Sequence, residues 1–220
     1  MKEFWAFKNE KLEEHIERCL NVFENLPKRF FSGLSKELVR EAIVFHDIGK
    51  AFFRRRFNFY GHELLSFKVL RNYHFYSGED EEVVAPYELA VFYHHHPMGV
   101  REPVKANPLS KEEIDALLSL YTSYIPESRL EALRKALIDV NCFFPHFSCE
   151  ELQSLLWSIK KDSCKIKTFY HALFLVILVD DIAAQEREKN KEKKEKEGER
   201  ESSFFQVIRK IPNYYFPLDC

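Results

Sequence analysis

The sequence lacks several features that would assign it to particular classes of protein. It has no Cys-x-x-Cys pair, and its 5 cysteines are an odd number, which favours reduced thiols in a cytosol over a disulfide framework. Its longest apolar run, residues 172–179, is far too short to cross a bilayer. The first residues also lack the apolar segment of a signal peptide. We therefore expect a cytoplasmic protein that has no contact with a membrane.

A strong charge of either sign is also missing. The formal net charge is −2, so no global field attracts nucleic acid, and any contact with DNA or RNA needs a local basic patch. Apolar residues make up 45% and charged residues 31% of the 220 positions. This composition is typical of a globular protein with one sizeable core.

Alternating strand patterns and internal repeats are absent, whereas helical periodicity is present throughout. Leu12, Ile16, Leu20 and Phe23 form one apolar stripe, and the fold is predicted to be all-α. A second helix is predicted from Ser35 as N-cap to a stop at Gly49, a third from near Gly61, and a fourth from around Pro86 to before Pro97. The capping boxes at Ser110 and Ser148 each predict a helix start, and the last long helix should begin near Ile166 and pass through Asp180.

Three parts of the chain differ in composition. Residues 1–185 carry the helical periodicity and are predicted to form the functional domain. Residues 186–203 are largely charged, as in a solvated helix extension or a loop. Residues 204–220 are aromatic, and we expect them to pack back on the core, because so many exposed rings would be unfavourable.

The sequence 44–50 contains a His46-Asp47 doublet, which suggests a metal site. A buried histidine beside a buried aspartate needs partners, and a carboxylate can bridge two metal ions about 3.5–4 Å apart, the spacing of two-metal phosphoesterases. Lys50 follows Asp47 by three residues and shares its helix face. It is either a cation for a phosphate oxygen or an ordinary lysine at a helix C-terminus.

Other histidines and carboxylates could complete this site. The candidates are His15, His62, the run His94-His95-His96, and the pair Asp180-Asp181. Pro97 disfavours helical backbone at His96, so His94 and His95 are the predicted inward pair, with a register that uses His96 as the alternative. One aspartate of the pair 180–181 should point inward. His74, His146 and His171 are interpreted as structural.

Together these motifs resemble the HD superfamily of metal-dependent phosphohydrolases, and within it the stand-alone HD nuclease subunit of type I CRISPR interference. The matching segments are His46-Asp47-Ile48-Gly49-Lys50, Gly61-His62-Glu63 with Ser66, His94-His95, and Asp180-Asp181-Ile182-Ala183. The resemblance implies a helical bundle with a central metal site. It also implies a nuclease for single-stranded DNA, or RNA, that works with a separate helicase and a CRISPR effector complex.

The resemblance further implies which residues hold two divalent ions, with Mg, Mn, Fe, Co or Ni as the candidate metals. The first ion would be held by His15, His46, Asp47 and Asp180, and the second by Asp47, His62, His94 and His95. Lys50 would lie beside the scissile phosphate. Two positions depart from the family pattern: Ala184 stands where a serine is usual, and His96 stands where glycine is usual.

Three arginines with aromatic neighbours follow the His-Asp motif. Arg54, Arg55 and Arg56 lie between Phe53 and Phe57, a pattern that suits a single strand with its phosphates on the cations and its bases on the rings. The alternative is a surface arginine cluster beside core phenylalanines. As alternative functions we consider an HD nucleotidase or dNTP phosphohydrolase, a cyclic-dinucleotide phosphodiesterase, and a non-catalytic HD module that docks a partner.

Overall fold

The computed structural model describes residues 3–54, 59–95, 106–143 and 149–195, and helices dominate it, so the all-α prediction is confirmed. In chain order the elements are β1 (Trp5–Phe7), β2 (Glu10–Lys11), α1 (Leu12–Glu24), a 3₁₀ helix (Lys28–Phe31), α2 (Lys36–Phe45), a 3₁₀ helix (Ile48–Phe52), α3 (His62–Ser77), α4 (Glu81–Tyr93), α5 (Lys111–Tyr121), a 3₁₀ helix (Glu127–Arg129), α6 (Leu130–Phe143), α7 (Cys149–Lys160) and α8 (Ser163–Glu195). The antiparallel hairpin β1–β2 was not foreseen from the sequence.

Several helix boundaries follow the predicted caps. The Ser35 hydroxyl accepts from the amide of Leu38 at 3.3 Å, and Ser110 and Glu113 form the expected capping box. The predicted stop at Gly49 was wrong, because α2 ends at Phe45 and Gly49 lies inside the following 3₁₀ helix. The helical path ends early because the backbone of Asp47 turns to φ −111° and ψ 2°.

The predicted start of α4 at Pro86 was also wrong. Asp80 caps this helix by accepting from the amide of Glu82 at 2.9 Å, so one and a half turns precede the proline. Pro86 has no N–H for the carbonyl of residue 82. That carbonyl belongs to the exposed first turn of the helix, where water can satisfy it.

The helices surround two apolar clusters. The larger one includes Phe23, Phe45 and Tyr73, and the smaller one joins α3 and α4 to α7 and α8 through residues such as Phe67 and Phe169. Helix α4 packs against α3 and α8, and α1 and α2 also contact α8. The polar side chains considered below lie among these buried elements.

Helix α8 extends into the charged segment as far as Glu195, so residues 186–195 form a helix extension. The rest of that segment and the aromatic segment 204–220 lie outside the described residues, and the division of the chain into three parts stays a prediction. No helix in the described ranges combines the length and the apolar character needed to cross a membrane.

Candidate metal centre

The fold brings together predicted site residues that are far apart in the sequence. They come from α1 (His15), the end of α2 (His46 and Asp47), the next 3₁₀ helix (Lys50), the start of α3 (His62), the end of α4 (His94 and His95) and the middle of α8 (Asp180). All of them are buried except His95, which is partly buried.

Asp47 lies between two groups of histidines, and its two carboxylate oxygens face different groups. Oδ2 is 3.2 Å from Nε2 of His15 and 3.6 Å from Nε2 of His46. Oδ1 is 3.0 Å from Nε2 of His62 and 3.8 Å from Nε2 of His94. A carboxylate placed in this way can serve two metal ions at once.

The first group consists of His15, Cys19, His46 and Asp180, whose potential ligand atoms all lie within 4.8 Å of one another. Nε2 of His15 is 3.2 Å from Nε2 of His46 and 3.2 Å from Oδ1 of Asp180. Asp180 therefore points inward, whereas Asp181 is exposed, which resolves the choice that the sequence left open.

The second group consists of Asp47, His62, His94 and His95, again with ligand atoms within 4.8 Å of one another. The ring of His62 contacts both of the other imidazoles, with centroid distances of 5.6 Å to His94 and 4.9 Å to His95. The predicted inward pair, His94 and His95, therefore lies in the centre. His96 lies outside the described residues.

Three of the histidines are oriented by the same local hydrogen bond. Nδ1 of His46, His62 and His94 lies 2.6, 2.7 and 2.5 Å from the carbonyl oxygen three residues earlier in the chain. A carbonyl oxygen can only accept, so each Nδ1 carries the proton and donates it. In the neutral ring this leaves the lone pair on Nε2, which faces the centre, and that is the tautomer a metal ligand needs.

The ring of His15 has a carboxylate behind it instead, beyond hydrogen-bond distance of its Nδ1. Its Nδ1 lies 3.7 Å from Oε1 of the buried Glu10 on β2. Glu10 is held in turn by Arg18 at 3.2 Å and by Arg187 at 3.0 Å. The hairpin β1–β2 thus supplies the polar support behind one of the inward-facing imidazoles.

Several buried polar atoms in the centre have no hydrogen-bond partner. They are Oδ1 of Asp47, Nε2 of His62, Nε2 of His94 and Oδ1 of Asp180. Leaving one such atom unpaired costs about 1–3 kcal/mol, and here they converge on one place. Divalent metals bind imidazole nitrogens and carboxylate oxygens, so this donor set fits a metal centre.

The two carboxylates of the centre are held in their charged form. Burial alone would raise the pKa of Asp47, but the Lys50 ammonium and nearby histidines outweigh it and hold the pKa well below the usual range. The pKa of Asp180 is lowered in the same way, with His15 and His46 acting against burial. Both carboxylates are therefore anionic and available to a cation.

Two imidazoles of the second group, those of His62 and His95, have lowered pKa values. Burial lowers the pKa of His62. Burial, together with His94 and His62, lowers the pKa of His95 to about 2. A neutral imidazole is the form that binds a metal.

Lys50 is buried, and its Nζ donates to Oδ2 of Asp47 at 2.6 Å. The ammonium also lies over the rings of Phe7 and Phe59, at 4.2 and 5.5 Å from their centroids. Residues 47 and 50 therefore lie on the same face, as predicted. Lys50 is buried and is not a surface lysine. Burying an ammonium requires such partners.

Gly49 allows the His-Asp motif to approach the start of α3 at His62 closely. Its amide donates to the Ser66 hydroxyl at 2.8 Å, and a Cβ at position 49 would lie 2.1 Å from the carbonyl oxygen of His62. The glycine of His-Asp-x-Gly-Lys is thus needed for the close approach of the 3₁₀ helix to α3, which sets the distance between Asp47 and His62.

The predicted nucleic-acid contacts are only partly within the described residues. Arg54 is exposed and lies two residues after the end of the 3₁₀ helix, while Arg55 and Arg56 lie outside the described ranges. Cys19 is a site residue that the sequence interpretation missed. Its spacing of four residues from His15, which places both on one helix face, could have drawn attention to it.

A family comparison agrees with this arrangement. The model of the HD domain family matches residues 12–123. The chain belongs to the HD domain family. The matched range contains His15, His46, Asp47, His62 and the His94-His95 pair, whereas Asp180 follows it. HD domains are generally metal-dependent hydrolases. No curated protein matches the chain.

Proposed function

We propose that this HD domain is a two-metal phosphodiesterase that cleaves single-stranded DNA or RNA. The observation that carries the proposal is the position of Asp47, whose two oxygens face two separate groups of ligand atoms. The proposed ligands of the first ion are His15, His46, Asp47 and Asp180, and those of the second are Asp47, His62, His94 and His95. A nucleotidase that uses a single ion would not need both groups.

The chain's own residues have distinct roles in this proposal. Two bound divalent ions would supply an activated water and charge stabilisation for phosphoryl oxygens. Asp47 sets the position of both groups, and the Nδ1 hydrogen bonds keep the histidine rings directed inward. Lys50 holds Asp47 and supplies a positive charge that can balance a phosphate oxygen next to the site.

The single-stranded substrate is supported by the segment that follows Lys50. Phe53 forms a β-bridge with Ala106, and the amide of Asn107 donates to the carbonyl oxygen of Phe52 at 2.7 Å. These bonds hold the backbone in place just before Arg54. The exposed Arg54 begins the three-arginine run. Phe53 itself is buried in the core, as in the alternative interpretation of this run, whereas Tyr60 is exposed. An exposed ring beside cations suits a strand whose phosphates and bases are both accessible.

The place of this activity in CRISPR interference, with a separate helicase and an effector complex, is proposed from the motif resemblance. A helicase would supply the single strand that such a site needs. Binding of the purified chain to a type I helicase subunit, measured by calorimetry, tests this part separately from the chemistry.

The main experiment compares substrates. The purified chain is incubated with single-stranded DNA, duplex DNA, RNA and dNTPs, each with Mg, Mn, Fe, Co or Ni and with a chelator. We expect metal-dependent cleavage of the single strands. Release of phosphate from dNTPs alone would indicate a nucleotidase, and metal binding without any hydrolysis would indicate a docking module.

Two variants separate the centre from the strand contact. Asp47→Asn keeps the shape of the side chain and should abolish cleavage of every substrate without changing helix content. Joint replacement of the arginines 54–56 by Gln should weaken single-strand binding and flatten its salt dependence, with little effect on a small chromogenic phosphodiester.

The matched control removes the same charge elsewhere, by replacing Lys191, Lys193 and Lys194 with Gln at the far end of α8. If this variant loses strand binding as strongly as the arginine variant, the effect is one of net charge. The arginine run would then have no specific contact with the strand.

A further inference from the structure

Cys19 lies in the first ligand group although no part of the proposed chemistry uses it. It follows His15 by one turn of α1 and is fully buried, and its Sγ is 3.6 Å from Nε2 of His15. Its sulfur also lies within 4.8 Å of the ligand atoms of His46 and Asp180. A buried cysteine that only packs in a core has no need to face two imidazoles and a carboxylate.

A second observation indicates that this group is arranged around an ion. Asp180 is only 9% exposed, and its Oδ1 has no hydrogen-bond partner although it lies 3.2 Å from Nε2 of His15. Nε2 of His46 is also 3.2 Å from the same nitrogen. Either a proton on Nε2 of His15 or a metal ion has to lie between these three atoms, and only an ion can bind all three of them at once.

Two separations within this group match those of ligands around one ion, and all four atoms lie within 4.8 Å of one another. With bonds of about 2.0–2.1 Å to nitrogen and about 2.3 Å to sulfur, tetrahedral ligands lie about 3.3 Å apart for two nitrogens and about 3.6 Å apart for nitrogen and sulfur. The observed separations are 3.2 Å between the two imidazole nitrogens and 3.6 Å between nitrogen and sulfur.

We propose that the thiolate of Cys19 is a further ligand of the first metal ion, alongside His15, His46, Asp47 and Asp180. This inference rests on the proposed metal centre and goes beyond it, since it assigns a sulfur ligand and a class of metal. Binding would replace the S–H bond by a bond from sulfur to the ion, and the thiol proton would leave to solvent.

A sulfur ligand makes the two positions chemically different. Thiolate is a soft ligand that favours Zn, Fe, Co or Ni over Mg, which prefers oxygen. The second group offers three imidazoles and a carboxylate but no sulfur. The first position should therefore hold a softer ion than an oxygen-rich phosphoesterase site, and Mg should not replace it.

The test loads the full chain with cobalt and records its absorption spectrum together with the bound cobalt per chain. We expect a thiolate-to-cobalt charge-transfer band that disappears completely in Cys19→Ser and Cys19→Ala. Cys164→Ser is the matched control, because Cys164 is an exposed cysteine at the start of α8, and this variant should keep the full band.

X-ray absorption on the zinc-loaded wild type tests the same ligand without any variant. We expect a zinc–sulfur distance of about 2.3 Å at an average of one sulfur per two zinc ions. Two bound ions without a sulfur signal would overturn the assignment of Cys19 and leave the phosphodiesterase proposal intact. Absence of bound metal in the wild type would overturn both.

Discussion

Three histidines of the candidate centre are each oriented by a hydrogen bond to a backbone carbonyl three residues earlier in the chain. His46 and His94 each follow the last residue of a helix, where their Nδ1 reaches the carbonyl three residues back. His62 makes the same bond at the first residue of α3. The last carbonyls of a helix have no partner within the helix. His46 and His94 therefore each provide a hydrogen bond to one of these carbonyls. The metal-facing tautomer is thereby fixed before any ion binds.

The adjacent aspartates on α8 offer a matched pair for the first prediction. Asp180→Asn should lower bound metal by about one ion per chain, because the neutral amide is a weaker ligand in a buried site. Asp181→Asn, at the exposed neighbour, should retain the wild-type metal content. Elemental analysis of both variants after loading decides, and equal metal content in the two would refute an inward role for residue 180.

The second prediction concerns Gly49. Gly49→Ala should destabilise the fold by about 3 kcal/mol, the upper end of overpacking costs, because the new Cβ would lie 2.1 Å from the His62 carbonyl oxygen. It should also weaken metal binding, since His62 must shift.

Gly78→Ala is its control. Gly78 has φ +74°, and a Cβ added there would meet open space, so this variant should cost only about 1–2 kcal/mol of backbone strain and leave metal binding unchanged. Urea unfolding with metal titration measures both effects. A smaller cost at Gly49 than at Gly78 would contradict the close packing described.

At the scale of the elements, a second polar network ties three helices together away from the metal centre. The buried His74 on α3 lies 2.9 Å from Glu88 on α4 and 3.2 Å from Glu41 on α2. Arg71 and Arg129 pair with the same carboxylates at 3.0 Å. The sequence interpretation of His74 as structural agrees with these contacts.

The third prediction is a pH dependence of stability. Burial would lower the pKa of His74, but Glu41 and Glu88 outweigh it and raise the pKa above 6.5. The stabilisation should therefore be fully present below pH 6.5 and be lost as pH rises through the folded-state pKa, with a slope of at most about 1.4 kcal/mol per pH unit.

His74→Gln provides the comparison, because it removes only this titration. Urea unfolding of both proteins at a series of pH values should give a wild-type advantage that shrinks on going to alkaline pH. An advantage that grows as pH rises towards 6.5 would show instead that the pKa of His74 is lowered in the folded protein.

At the scale of the whole molecule, the candidate centre joins the helices of the bundle. Its residues come from α1, the end of α2, the start of α3, the end of α4 and the middle of α8. A bound ion would therefore connect segments that are up to about 165 residues apart in the chain. The entropic cost of closing so long a loop grows only slowly with its length. A metal that binds only the folded state stabilises it by mass action.

The fourth prediction follows from this linkage. A metal at 100 times its dissociation constant should stabilise the chain by about 2.7 kcal/mol, which corresponds to a rise in Tm of roughly 5–10 °C for a domain of this size. Thermal unfolding with cobalt and with chelator measures the shift. Asp47→Asn should show little of it, and an equal shift in that variant would mean that the ion binds elsewhere.

Much of this arrangement could be predicted from the sequence. Helix periodicity indicated the all-α class, and the caps at Ser35 and Ser110 are local features that the structure retains. The order of His46-Asp47, His62, His94-His95 and Asp180 pointed to a metal centre, because buried histidines and carboxylates need partners and a metal ion can serve several of them at once.

The remaining features depended on contacts between distant segments. The sequence could not choose between Asp180 and Asp181, since neighbours on a helix differ only in the direction they face. It also missed the early start of α4, the hairpin that supports His15, and Cys19. A single cysteine in a helix has no distinguishing pattern until α1, α2 and α8 bring its sulfur to His46 and Asp180.

The sequence by itself thus determined the helical class and the chemical types of ligand, because periodicity and residue identity are local properties. The tertiary structure decided which oxygen of Asp47 faces which histidines and placed Lys50 against that carboxylate. These relations are distances of about 3 Å between residues remote in the chain, and only the packing of the helices fixes them, because side chains in a close-packed interior have few allowed positions.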